Sequence, residues 1–293
     1  MKLSISTIIL IASISLLPVG TVADIIDYNY MPMDHTDSDD EPFEPTEEHH
    51  HYEILGFTVY VSGRAADHKP EKTEAALWGL RAQISHLVNV LPMHAVKRLR
   101  HVKIWLTDDS TIEENPDSKE LCPHACYYPE IYWSSLLYDF NMDKRGSVEF
   151  RNMEFLTKYT RCCSNTLIHE MSHAYHDQFL SRSFSNSDIE SAFEDAKESG
   201  LYDEAKSMFS WYVEPELHYG MTDRKEFFAT MTETYFYYFS RYPFVAGDLY
   251  EYDRDTFDLM RAIWHSEEED DYGRIITSSE VYVPMTNVPS TGF

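Results

Sequence analysis

Apolar and polar residues recur with two different spacings along this chain, and each spacing predicts a different element. Residues 57–61 and 102–106 are short runs rich in β-branched and aromatic residues, which is typical of buried strands. Residues 146–150 alternate between apolar and polar, as a half-buried strand does. The sequence therefore predicts at least three strands, all before residue 151.

Helical spacing dominates elsewhere. Residues from Pro70 to Leu91 place one apolar stripe towards the core, made of Ala75, Leu77, Leu80, Ile84, Leu87 and Val88. A second helix is predicted from Cys162 to Leu180, a stretch without Pro or Gly. A capping box, Ser187 to Glu190, predicts a helix that ends at Gly200. Two more are predicted over about 223–239 and 250–266, and the mixture indicates an α+β domain.

The N-terminus has the pattern of a secretory signal peptide, residues 1–23. Lys2 precedes an apolar run over residues 8–17, and small residues at positions 21 and 23 predict cleavage after Ala23. No later stretch is apolar for long enough to span a bilayer. We therefore expect a secreted, extracellular protein with no membrane association after signal cleavage.

Composition divides the mature chain into three parts. Residues 24–51 hold many acids and prolines and few apolar residues, which predicts a disordered acidic segment. Residues 52–271 are dense in aromatic and apolar residues and predict a single domain. Residues 272–293 show little periodicity and predict an extended tail.

Charge excludes two classes of partner. The chain carries 50 acidic and 24 basic residues, a formal net charge of −26, so repulsion opposes nucleic acid and anionic membranes. The densest acidic block, residues 34–48, could be a propeptide, a region that binds calcium weakly or a solubilising linker. The histidines at positions 49–51 could bind a metal weakly or simply be solvated.

His169, Glu170 and His173 form a His-Glu-x-x-His (HExxH) pattern inside the helix predicted over residues 162–180. At about 100° per residue the two histidines lie on one face, so both rings can reach one zinc ion. Glu170 lies on the flank, where its carboxylate can take a proton from a zinc-bound water. The pattern indicates peptide hydrolysis; a structural helix with two solvated histidines is the alternative.

A catalytic zinc needs a third protein ligand and an open position. A third histidine six residues after His173 is excluded, since Phe179 stands there. Glu190 and Glu194, about twenty residues further on, remain candidates, although Glu190 also fits the capping box. Glu226 is another candidate, and residues around it point to a known family.

Residues 219–229 resemble the zinc peptidase domain of the anthrax lethal factor type. In that family a tyrosine precedes a glutamate ligand by seven residues, and the glutamate opens a Glu-Phe-Phe-Ala run; Tyr219 and Glu226 have this spacing and this run. Residues 169–177, with the strand over 147–150 before them, also look like a group of secreted, mostly uncharacterised peptidase-like proteins. The resemblance covers about residues 57 to 264.

This resemblance implies a zincin-like metallopeptidase domain with a mixed sheet and the HExxH helix in the active site. It implies one zinc ion per chain, bound by His169, His173 and Glu226. It also implies that Tyr219 lies beside the metal, where a phenol can stabilise the oxyanion of a tetrahedral intermediate. In such a domain, residues 146–150 would be the edge strand that pairs with an extended substrate, although a surface strand without a ligand fits equally.

The sequence departs from the family pattern at Thr230, where the family has a second glutamate. Glu233, one turn further on, could supply that carboxylate behind the ligands or replace Glu226 as the ligand. His176 and Asp177 could orient the ligands or lie on a solvated helix surface.

The four cysteines favour two disulfide bonds in a secreted chain. Because adjacent cysteines rarely bond each other, we expect Cys122 and Cys126 to pair with Cys162 and Cys163, which would brace the start of the HExxH helix. A structural zinc bound by four cysteines is the rival interpretation.

These observations together predict a secreted zinc metallopeptidase that acts on a peptide or protein substrate. The alternative is a non-catalytic, secreted, acidic metal-binding or matrix protein that retains a zincin fold. The presence of Glu170 favours the enzyme, because a binding protein needs only the metal ligands.

Overall fold

The computed structural model describes residues 44–108, 124–129, 141–158, 166–208 and 215–276. Within these ranges the chain forms a five-stranded sheet and nine α-helices, which confirms the α+β class. The strands are β1 (His50–Ile54), β2 (Phe57–Val61), β3 (Ile104–Leu106), β4 (Ala125–Tyr128) and β5 (Ser147–Phe150). The helices are α1 (Gly63–His68), α2 (Pro70–Val90), α3 (Met93–Leu99), α4 (Met153–Lys158), α5 (Thr166–Gln178), α6 (Ser187–Ser199), α7 (Arg224–Phe236), α8 (Ala246–Tyr252) and α9 (Arg254–His265). The predicted signal peptide lies outside the described residues.

The sheet is mixed, with strand order β1-β2-β3-β5-β4. β1 and β2 form an antiparallel hairpin, β2, β3 and β5 run parallel, and β4 pairs antiparallel with β5. The hairpin turn, Leu55 and Gly56, has two positive φ angles of 52° and 86°, as a two-residue type I′ turn requires. The predicted strand over 57–61 is confirmed, and the strand predicted over 102–106 begins at Ile104.

The prediction that residues 146–150 form a half-buried edge strand is wrong. β5 lies inside the sheet between β3 and β4, and all four of its residues are buried. The polar side chain of Glu149 accepts hydrogen bonds from Thr107 Oγ1 (2.7 Å), Tyr128 OH (2.6 Å) and Lys144 Nζ (2.6 Å). Alternation of apolar and polar residues alone cannot distinguish a solvated polar face from a polar face with buried partners. The edge strand on this side of the sheet is β4.

The N-terminal boundary of the domain lies earlier than residue 52. Residues 44–51, predicted as disordered, form a 3-10 turn (Thr46–Glu48) and the first part of β1. Glu44 Oε1 accepts a hydrogen bond from the Arg64 amide (2.9 Å), and the buried ring of His49 packs edge-on against Trp105. These tertiary contacts offset the ordering entropy that composition alone leaves uncompensated.

The long helix predicted from Pro70 to Leu91 is confirmed as α2, with one correction to its buried stripe. Ala75 is exposed and Ala76 is buried in its place. The buried face also includes Thr73 and Gln83, which have tertiary hydrogen bonds. The hydrophobic core joins the sheet to α2 and α5 through Val59, Ile104, Val148, Leu80, Ile84, Leu87, Leu167, Ile168 and Met171.

Two helix boundaries and the C-terminal end of the domain differ from the sequence prediction. The side chain of Asn186, not Ser187, caps α6 by accepting from two amides, whereas Gly200 ends the helix in the left-handed conformation as predicted. The helix predicted over 250–266 is two helices, because Asp253 interrupts it and caps α9. The domain also continues past residue 271, since Ile275 is fully buried and bridges Leu180.

No helix among the described residues has the length and apolar character needed to cross a membrane.

Candidate metal centre

Two helices, α5 and α7, pack against each other and bring three of the predicted ligands together. Nε2 of His169 and Nε2 of His173 lie 3.2 Å apart. The Glu226 carboxylate lies 3.0 Å from Nε2 of His169 and 3.5 Å from Nε2 of His173. Their ligating atoms all fall within 4.8 Å of one another, and in the described part of the chain this is the one cluster of three or more such residues.

A second carboxylate orients the ring of His169. Nδ1 of His169 lies 2.9 Å from Oε1 of Glu233, which is almost fully buried. Because the carboxylate oxygen accepts, Nδ1 carries the proton and Nε2 of a neutral ring presents a lone pair. That lone pair faces a Glu226 oxygen and Nε2 of His173. Acceptors that converge in this way need a cation between them, and two imidazole nitrogens with one carboxylate are a donor set that zinc takes.

Electrostatics support the same conclusion. Although burial favours the neutral ring, Glu226 and Glu233 raise the pKa of His169 well above its usual value. Burial would raise the pKa of Glu226, yet His173 and His169 hold it well below its usual range. Both pKa shifts show that positive charge is favoured between these groups. A bound metal ion would supply that charge.

The other candidate third ligands lie elsewhere. Glu190 Oε1 pairs with Arg224 at 3.2 Å, and Glu194 is exposed on α6. Glu226 lies in the first turn of α7, which Asp223 caps by accepting from the Glu226 amide at 3.0 Å. The cap fixes the start of the helix and with it the position of the Glu226 side chain.

Glu170 is buried beside the cluster and is not one of its three members. Burial raises the pKa of Glu170, and the nearby histidines oppose this shift. Its carboxylate also accepts a hydrogen bond from the backbone of Tyr127, in the edge strand β4. The strand therefore helps to hold Glu170 at the side of the cluster.

Tyr219 begins a 3-10 turn (Tyr219–Met221) that packs against α7. Its ring centroid lies 6.1 Å from that of His169, and 51% of the residue is exposed. Partial burial, the charges of Glu226 and Glu170 and a hydrogen bond to Glu226 raise the pKa of Tyr219. The hydroxyl is therefore protonated at neutral pH and can donate a hydrogen bond at the site.

Gly220 permits this close packing. A Cβ atom at position 220 would lie 2.6 Å from Oγ1 of Thr230 and 3.1 Å from Nδ1 of His218. Thr230 is fully buried, and its hydroxyl donates to the Glu226 carbonyl at 2.8 Å. A small side chain at position 230 thus leaves room for the turn that carries Tyr219, while Glu233 supplies a carboxylate one helical turn away.

The two residues after Tyr175 do not contact the ligands in the way the sequence suggested. His176 is fully buried, its ring lies edge-on to Phe184 and Phe228, and neither ring nitrogen has a hydrogen-bond partner among the described residues. Asp177 Oδ2 accepts from Tyr127 OH at 2.8 Å, which ties α5 to β4. His176 therefore packs the core, and Asp177 connects the helix to the edge strand.

Cys122, Cys162 and Cys163 lie outside the described residues, so the structure does not test the predicted cysteine pairing. Cys126 is buried in β4, and this strand contacts α5. The pairing stays a prediction.

Gln83 is a positioning residue that the sequence analysis did not identify. Its Oε1 accepts a hydrogen bond from the Leu167 amide at 2.9 Å, in the first turn of α5. Gln83 could have been identified because it is a polar side chain on the apolar stripe of α2, which suggests a specific buried partner. Its effect is to fix the start of the helix that carries His169 and His173.

No protein-family model, curated protein or solved structure matches this chain.

Proposed function

We propose that this chain is a secreted zinc-dependent metallopeptidase of the zincin type. The observation that carries the proposal is the convergence of acceptor atoms from His169, His173 and Glu226, with Glu170 buried beside them. The mixed sheet with its antiparallel edge strand β4 next to α5 supports the zincin type. The N-terminal pattern of residues 1–23 supports secretion.

His169, His173 and Glu226 would hold the metal, with Glu233 keeping the His169 ring in the orientation that presents Nε2. A zinc ion bound there would supply Lewis-acid chemistry, acidifying water and polarising a peptide carbonyl. One ion per chain satisfies the cluster.

Glu170 is the general base in this proposal. Its carboxylate takes a proton from the attacking water and later delivers it to the leaving amine. Burial raises the pKa of Glu170 above its usual value, which favours return of the proton after the carboxylate has accepted it. The hydrogen bond from the backbone of Tyr127 keeps the carboxylate in place between the two transfers.

Tyr219 donates a hydrogen bond to the carbonyl oxygen as negative charge develops on it. The raised pKa of Tyr219 keeps the hydroxyl proton available at neutral pH. Its partial exposure places the side chain where a substrate can reach it.

The test is a measurement of zinc content and of cleavage on one preparation. Full-length mature chain, secreted and processed by the host cell, should contain about one zinc per chain by elemental analysis. It should cleave members of a mixed peptide library, and chelation should stop cleavage until zinc is restored. Zinc binding without cleavage of any library member would favour the non-catalytic metal-binding alternative. A folded chain that takes up no zinc would overturn both.

A further inference from the structure

A cavity of about 500 Å³ opens beside Tyr219. It is lined by residues 216–219, by Thr222 and by residues 239–241. Tyr219 belongs both to this cavity and to the candidate active site, since its ring also faces His169. A side chain in the cavity would therefore lie next to the reacting bond of a bound peptide.

Apolar surface forms one wall of the cavity. Leu217 is 57% exposed and Tyr219 is half-exposed, while Phe239, which also lines the cavity, is buried. Two large exposed apolar side chains around one opening are more typical of a binding site than of ordinary surface. The wall suits an aliphatic or aromatic group.

His218 lines the same cavity and carries a buried hydrogen-bond donor. Nδ1 of His218 accepts a hydrogen bond from the Gly220 amide at 3.0 Å, so in the neutral ring the proton is on Nε2. His218 is fully buried, and burial lowers its pKa to about 4, so the ring is neutral at neutral pH. Nε2 has no hydrogen-bond partner among the residues that the structure describes. A buried N–H group of this kind suggests an acceptor supplied from outside the chain.

The charges around the cavity cancel. Arg241 forms an ion pair with Glu216, and both residues line the cavity. A carboxylate in the cavity would be repelled by Glu216, and an ammonium group would be repelled by Arg241. Either would also have to compete with the existing ion pair. The lining therefore favours a neutral group.

We propose that this cavity binds a large neutral side chain of the peptide substrate next to the cleaved bond, and that tyrosine, an aromatic ring with a hydroxyl acceptor, fits it best. This inference rests on the proposed peptidase function, because Tyr219 is what connects the cavity to the site. The ring packs against Leu217 and Phe239, and the hydroxyl accepts from Nε2 of His218.

The test compares peptides that differ only at one position, which carries Tyr, Phe, Gly, Glu or Lys, and the position is moved along the peptide. At the position that enters the cavity, the wild-type enzyme should cleave Tyr about three- to tenfold faster than Phe in kcat/KM, the worth of one neutral hydrogen bond. Phe should exceed Gly, Glu and Lys by at least about tenfold, the worth of a buried aromatic ring. No side-chain preference at any position would overturn the proposal.

Two variants and one control locate the preference. His218→Asn keeps an oxygen that can accept from the Gly220 amide but removes the Nε2 donor, so the Tyr-to-Phe ratio should fall to about one while Phe still exceeds Gly. Ser240→Phe should fill the cavity and bring Tyr and Phe peptides down to the Gly rate, whereas Ser240→Ala should leave the order unchanged. Ratios between peptides do not depend on how much enzyme is folded. An unchanged order in Ser240→Phe would show that the preference arises elsewhere and overturn the proposal.

A binding measurement separates this inference from the proposed function. Fluorescein-labelled versions of the same peptides are titrated with full-length mature Glu170→Gln chain and followed by fluorescence polarisation. If no peptide is cleaved by wild type but the Tyr peptide binds best and Ser240→Phe abolishes this, the cavity is supported and peptide hydrolysis is not. If peptides are cleaved and neither cleavage nor binding ranks Tyr and Phe first, hydrolysis is supported and the cavity assignment is wrong.

Discussion

Oε1 of Glu233 lies 2.9 Å from Nδ1 of His169, while Glu226 lies 3.0 Å from Nε2 of the same ring. The two nitrogens of one imidazole thus contact two different carboxylates, Glu233 at Nδ1 and Glu226 at Nε2. Glu226 shares the cluster with His173, whereas Glu233 is buried behind His169. Glu226 therefore lies among the proposed ligands and Glu233 behind them, which was one of two arrangements that the sequence left open.

Substitution of the two glutamates should separate these positions. Glu226→Ala removes a ligand, so zinc should be lost from the purified protein. Glu233→Ala removes only the group that orients His169, so zinc affinity should fall by about 10- to 100-fold without disappearing. Isothermal titration with zinc on both variants checks this, and complete loss in Glu233→Ala with retention in Glu226→Ala would reverse the assignment.

The sequence predicted that His169 and His173 would lie together because HExxH spacing on a helix is a local property, set by 3.6 residues per turn. Glu226 is 53 residues from His173 along the chain, so its place depended on the family resemblance and not on spacing. The order of β4 and β5 could not be predicted, because Glu149 looks like a solvated residue until Lys144, Tyr128 and Thr107 surround it. The order of residues 44–51 could not be predicted either, because their acidic composition indicates disorder and only tertiary contacts stabilise them.

Glu170→Gln should separate metal binding from catalysis. The amide keeps the shape of the side chain and leaves His169, His173 and Glu226 in place, but it cannot accept a proton from water. We expect kcat to fall by about 10²- to 10⁴-fold while zinc content stays near one per chain. Parallel zinc analysis and library cleavage check this, and wild-type cleavage in the variant would require another base or a contaminating protease.

Tyr219→Phe should lower turnover through loss of one hydrogen-bond donor. The phenol is not among the clustered metal-binding atoms, but it hydrogen-bonds to Glu226, so zinc affinity should fall by at most about 10- to 100-fold and kcat is measured at saturating zinc. A single oxyanion donor is worth about 10²- to 10³-fold in kcat. Steady-state kinetics with zinc titration checks both quantities, and an unchanged kcat would remove Tyr219 from the mechanism.

Gly220→Ala should lower activity because the added Cβ cannot fit. It would lie 2.6 Å from Oγ1 of Thr230, so the turn must move and take Tyr219 with it. Gly247→Ala is the matched control, since a Cβ there meets nothing within 4 Å. Kinetics should show a kcat loss in the first variant only, and adding Thr230→Ala should restore part of it. Equal activity in both glycine variants would mean that close packing of the turn does not position Tyr219.

His176→Phe should change the pH dependence of stability and leave the metal site intact. Burial lowers the pKa of His176 well below its usual value, and neither nitrogen has a partner in the described part of the chain. A phenyl ring should fit between Phe184 and Phe228 about as well as the imidazole does. We therefore expect zinc content and kcat to stay close to wild type.

The sign of the pH effect follows from the direction of that shift. Between the unfolded pKa of about 6.5 and the lower folded pKa, the unfolded chain binds one more proton at this residue than the folded chain does. The buried neutral ring of His176 therefore leaves the free energy of unfolding unchanged above pH 6.5. As the pH falls below 6.5, the ring reduces the free energy of unfolding by up to about 1.4 kcal/mol per pH unit. His176→Phe should remove this slope, so it should gain stability relative to wild type between pH 6.5 and 5. Urea denaturation across that range checks it, with His101→Phe, a change at an exposed histidine, as the control. Equal slopes in His176→Phe and wild type would show that the imidazole is not buried as a neutral group, and a loss of zinc would show that it orients the ligands after all.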